Sequence, residues 1–128
     1  MVNSRIEPDG VAPPAANYAH AVLSEGSTRF LHTSGVVPIA PDGSVPVAIA
    51  EQARTVWHNL TAMLDEAGLS PRDIVSVTTY VIPAQDLAAV MAERDRALAG
   101  HLAASTLVVV PELARPEWKM EIAVVAAR

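Results

Sequence analysis

Few side chains in this sequence can do chemistry, and one acid stands apart from the rest. Glu121 falls inside residues 120–127, a run otherwise built of Met, Ile, Ala, Val and Ala. A carboxyl in apolar surroundings is the kind that can hold a water or pass a proton. The structural alternative is an acid that reaches solvent at a strand edge or meets a neighbouring subunit. Arg115 precedes Trp118 by three residues in Leu113-Ala114-Arg115-Pro116-Glu117-Trp118, where it either offers a cation to a cleft with an apolar wall or stays solvated. His20 and His32 lie in what reads as two paired strands and are expected to face each other. No third ligand stands at metal spacing, so no metal site is expected. His58 falls on the polar side of a helix, and His101 ends another, where a partial positive charge suits the dipole. The absence of cysteine removes thiolate chemistry and disulfides together. Ser34 and Ser105 lack a Gly-x-Ser-x-Gly elbow, and the six glycines are too dispersed to cradle phosphate. What remains is acid–base work on a small molecule, without a cofactor.

The elements that must position these groups are legible in part. Residues 1–16 read as a loosely ordered lead-in, because Pro8, Gly10, Pro13 and Pro14 interrupt regular structure. Residues 17–128 read as one domain. Within it, residues 18–23 and 30–37 form an expected hairpin turning at Gly26. Ala53, Val56, Trp57, Leu60, Met63, Leu64 and Ala67 recur at helical spacing, which predicts a helix over 47–67 closed by Gly68. Residues 74–82 are rich in β-branched types and predict a central strand ended by Pro83. Asp86 is the expected N-cap of a second helix over 86–100, which buries Leu87, Val90, Met91 and Leu98. Residues 106–110 and 120–127 complete the order β-β-α-β-α-β-β. This is an α+β domain with one sheet and both helices on a single face. The uncovered face is expected to be largely apolar in any register, and hence to be buried in a homo-oligomer.

The bulk numbers narrow the setting. The chain has 128 residues, 51% of them hydrophobic and only 4% aromatic, so its core must be aliphatic. A net charge of −5 with a single lysine, Lys119, argues against nucleic acid as a partner. No apolar run is long enough to span a bilayer, and residues 1–10 carry Arg5, Glu7 and Asp9 instead of a signal core. A cytoplasmic protein without membrane or nucleic-acid partners is expected.

Several segments then resemble the RidA/YjgF family over nearly the whole chain. They are Tyr18 within Asn17-Tyr18-Ala19-His20, the run Thr33-Ser34-Gly35-Val36-Val37-Pro38, Glu51-Gln52-Ala53-Arg54, Ala67-Gly68-Leu69 with Asp73-Ile74-Val75, and Met120-Glu121-Ile122. The resemblance implies a chorismate-mutase-like fold, a homotrimer with small-molecule clefts between subunits, and hydrolysis of reactive imines and enamines. It further implies that Tyr18, Ser34 and Gly35 line the pocket and that Glu121 holds or activates water. Here the sequence departs from the family. The arginine that grips a substrate carboxylate becomes Ala104 or Leu102 in His101-Leu102-Ala103-Ala104-Ser105-Thr106, and a pocket asparagine appears as Met91.

An arginine fork makes two parallel charge-assisted bonds to a carboxylate. Its loss should cost on the order of 3 kcal/mol in the transition state, roughly a hundredfold in rate. Weak or absent activity on 2-imino acids is therefore expected, with Arg115 the remaining candidate cation. A non-catalytic ligand-binding or chaperone-like module, or an enzyme of another reaction type such as a hydrolase or cyclisation helper, is the competing expectation.

Overall fold

The computed structural model describes residues 2–128. Its elements in chain order are β1 (Val2–Ile6), β2 (Ala21–Glu25), β3 (Phe30–His32), α1 (Ile49–Glu66), a 3-10 turn (Pro71–Asp73), β4 (Ile74–Val81), α2 (Leu87–Leu98), β5 (Ala104–Val109) and β6 (Met120–Ala127). The α+β class and the two helices are as expected, while the first strands are connected differently. β1 lies within the expected lead-in and pairs antiparallel with β2, Val2 opposite Glu25 and Ile6 opposite Ala21. Gly26 does turn the chain, at φ 69. The strand that follows, β3, pairs with β6 and not with β2. His20 and His32 therefore do not face each other. His20 Nε2 lies 2.6 Å from the Ala12 carbonyl oxygen, and His32 stands opposite Val125.

The main sheet has the order β3-β6-β4-β5. β4 and β5 run parallel, which requires the crossover that α2 supplies, and the other pairs are antiparallel. α1 buries Ala53, Val56, Trp57, Leu60 and Leu64 along one stripe. These meet Val77 and Val81 of β4, Ile122 and Val124 of β6, and Val90 and Leu98 of α2 in a single aliphatic core. Burial of each such side chain contributes about 1.5–3 kcal/mol. Met63 is a correction, being 41% exposed where the helical spacing predicts burial.

Helix ends are held by side chains. Asp86 Oδ1 accepts the Ala89 backbone N–H at 3.2 Å, the expected N-cap. The Arg29 guanidinium donates to the Ala67 carbonyl at the C-terminus of α1, and Arg128 donates to Gly68 O at 3.4 Å.

A register irregularity between Ile74 and Ser76 shifts the alternation of β4. Beyond it Val77, Thr79 and Val81 point to the helices, while Ser76, Thr78 and Tyr80 point to the uncovered face. That face is mixed, with more polar groups than expected beside apolar ones such as the exposed Phe30 of β3. Three hydroxyl-bearing residues of β4, Thr106 of β5 and Glu121 of β6 share it with Ala104, Val108, Ala123 and Val125. Among the described residues no helix is long and apolar enough to cross a membrane.

Candidate functional site

The strand register arranges the uncovered face in three rungs. From β5 through β4 to β6 they read Ala104–Ser76–Val125, Thr106–Thr78–Ala123 and Val108–Tyr80–Glu121. Glu121 is half-buried at one end of this ladder. Beside it the chain leaving β3 rejoins the sheet at a single bridge. Val36 N–H donates to Ile122 O at 2.7 Å, and Ile122 N–H returns to Val36 O at 3.1 Å. This bridge sets Gly35 against the carboxylate. A Cβ at Gly35 would lie 2.5 Å from Glu121 Oε2 and 2.9 Å from its Cδ, closer than atoms can approach. Glycine at position 35 leaves the carboxylate the space it occupies. Ser34 and Gly35 also line an open groove of about 750 Å³ walled by Val37, Ile39 and Met63. The exposure of Met63 follows from its place there.

Tyr18 lies elsewhere. Its hydroxyl accepts the Ala15 N–H at 3.3 Å, and its ring meets His20 edge-on with centroids 5.8 Å apart. Ala19 N–H donates to Ala103 O at 2.9 Å and bridges Ala104, which fixes Tyr18 at the start of β5. Ala104 and Val108 are separated by four residues of strand, roughly 13 Å. Tyr18 and Ala104 therefore occupy one end of the ladder, and Gly35 and Glu121 the other. One copy does not bring the sequence-predicted residues into a single site. Met91 is half-buried on α2, in the layer on the opposite side of the sheet from Glu121.

One buried arginine could be mistaken for the missing clamp. Arg94 pairs with Asp95 at 3.0 Å and reaches Ser105 Oγ at 3.4 Å. Ser105, opposite Val77, faces the helices. Arg94 thus lies behind the sheet, with only 8% of its side chain exposed. It supplies no cation to the face that carries Glu121.

The segment between β5 and β6 ends beside that acid. Arg115 stacks 5.6 Å from the Trp118 ring centroid. Both residues line a small pocket of about 240 Å³ that also includes Ile82 and Glu112. The segment is anchored by Gln52, a fully buried residue of α1. Its Nε2 donates to Pro46 O at 2.7 Å and to Glu117 O at 2.9 Å, while Oε1 accepts Lys119 N–H at 2.9 Å. Sequence reasoning missed this role, as it missed Thr78, Tyr80 and Thr106. An amide among the apolar positions of a helix was the available signal for Gln52.

Comparison with known proteins agrees with the geometry. Residues 10–128 match the family model described as Endoribonuclease L-PSP. A RutC family protein of Haemophilus influenzae is 45% identical over 65 residues, so the chain spans only half the length of that relative. The 2-iminobutanoate/2-iminopropanoate deaminase of Escherichia coli K12 is 36% identical over 103 residues, 78% of this chain and 80% of that protein. Among solved structures, YyfB of Yersinia pestis, a protein of the conserved Rid family, superposes with a TM-score of 0.90 at 31% identity over the whole of both chains. The YjgF gene product of Escherichia coli gives 0.72 at 30% identity over 98% of each. With the sheet, the two helices and the Gly35–Glu121 contact already in place, these matches establish that the chain belongs to the Endoribonuclease L-PSP family, the RidA/YjgF proteins.

Proposed function

We propose that the protein binds and hydrolyses a small imine, enamine or related carbonyl compound in a cleft between subunits of a homotrimer. The observation that carries the reading is the Glu121 carboxylate held against Gly35 on a sheet face lined by Thr78, Tyr80 and Thr106. Hydrolysis of a C=N bond needs a water placed for attack and a proton for the departing nitrogen. In this reading Glu121 takes a proton from the attacking water and passes it to nitrogen, giving a carbinolamine, and then carries the carbinol O–H proton to the same nitrogen as the C–N bond breaks and ammonia leaves. Nearby hydroxyls hydrogen-bond the polar atoms of the substrate.

The separation of Tyr18 and Ala104 from Glu121 supports the inter-subunit cleft, since a composite site needs one end from each of two copies. No cation stands on the ladder itself, which supports weak activity on 2-imino acids such as that named for the Escherichia coli relative.

The test is ammonia release from enzymatically generated 2-iminopropanoate and from a carboxylate-free imine, with the wild type and Glu121→Gln. The expected result is slow turnover of the first, faster turnover of the second, and loss of both by at least about a hundredfold in the variant. Turnover that survives Glu121→Gln unchanged rules out the assigned role.

A further inference from the structure

We infer that Arg115 and Trp118 form a subsite for the carboxylate of the ligand whose reacting carbon sits at Glu121, an inference that rests on the function proposed above. Two observations converge on it. The Arg115 side chain makes no ion pair or hydrogen bond among the described residues, and its guanidinium lies over the Trp118 ring. Both residues line the same cavity of about 240 Å³, a volume suited to a carboxylate and a short chain.

The position of this cavity relates it to the acid. Ile82, on its wall, donates its N–H to Lys119 O at 3.0 Å. This continues the β4–β6 ladder one rung past Tyr80 and Glu121, roughly 7 Å along the strands. Glu112 borders the cavity as well, so a second negative charge would be repelled. A monoanionic carboxylate suits the site better than a phosphate dianion. The rung spacing also sets the ligand's shape. In a 2-imino acid the carboxylate adjoins the C=N carbon, so with that carbon at Glu121 it falls short of a cavity centred one rung, roughly 7 Å, further along. The ligand is an oxo or imino acid whose two functional groups are separated by several methylenes.

The experiment follows the indole N–H resonances of Trp57 and Trp118 in the full chain by 1H–15N correlation NMR. The added probes are 5-oxohexanoate, pyruvate and 2-hexanone. Saturable movement of the Trp118 resonance with 5-oxohexanoate is expected, while 2-hexanone leaves it in place and Trp57 does not respond. Pyruvate is expected to bind more weakly than the longer acid. Arg115→Gln, at an exposed position, should raise the apparent Kd for 5-oxohexanoate at least about tenfold. A Trp118 resonance that ignores 5-oxohexanoate, or a Kd unchanged in Arg115→Gln, overturns the subsite. Glu121→Gln separates the two readings, because it should abolish turnover and leave the Trp118 response intact. Arginine-dependent binding without any turnover by the wild type would preserve the subsite and defeat the proposed hydrolysis.

Discussion

Gly35 and Glu121 show how one missing Cβ can make room for an acid side chain. Gly35→Ala would push the carboxylate aside, and the displaced atoms are the free end of a flexible side chain. Thermal unfolding should therefore shift by no more than a degree or two, while turnover falls at least about tenfold. The pairing of a differential scan with an ammonia-release assay checks both halves. Ala104 gives the complementary case. Ala104→Arg would place a guanidinium on the uncovered face that now lacks one, and kcat/KM for 2-iminopropanoate is expected to rise at least about tenfold. Away from the site, the hydroxyl and backbone N–H of Ser44 donate to the Asp42 carboxyl and hold it below its ordinary value of 3.8. A lowered acid stabilises the fold above its unfolded pKa, and that contribution disappears as pH falls through the folded value. Ser44→Ala should move the Asp42 titration upward, as read from its carboxyl carbon shift.

At the level of elements, Gln52 couples α1 to the segment that carries Arg115 and Trp118. Gln52→Leu keeps the bulk but strands the Lys119 N–H and two carbonyls, and is expected to lower unfolding free energy by about 2–4 kcal/mol in urea titrations. Asp86→Ala should cost about 1 kcal/mol through the loss of the α2 cap. How much of this was legible in the sequence depended on whether the cause was local. Both helices announced themselves because an apolar stripe and a cap are properties of neighbouring residues. Met63 failed because the groove beside it is made by the segment after β3, far away in the chain. β1 was hidden because Val-Asn-Ser-Arg-Ile has little apolar alternation and becomes a strand only where β2 offers a ladder. Adjacent position and a turn glycine suggested that β2 and β3 pair, yet β6 takes β3 instead. The irregularity between Ile74 and Ser76 concealed which side of β4 is polar, so Thr78 and Tyr80 went unnoticed. Glu121, Ser34 and Gly35 were legible through motif resemblance, whereas the distance from Tyr18 to Glu121 required coordinates.

For the whole molecule, the division of the candidate site residues between opposite ends of one sheet predicts, on the proposed function, that activity belongs to the assembly. Native mass spectrometry at micromolar concentration should show three copies, and a monomer there would contradict the composite cleft. Specific activity should fall on dilution into the range where trimers dissociate. The outer position of β5 adds a further consequence. Past its first residue this strand has β4 on one side and, among the described residues, no strand on the other, and it exposes Thr106, Val108 and Val109 without a proline or lysine to discourage pairing. A protomer parted from its fellows would present a ready template for stray β-pairing. Self-association would then act as protection, and variants that weaken it should precipitate before they can be isolated as single chains.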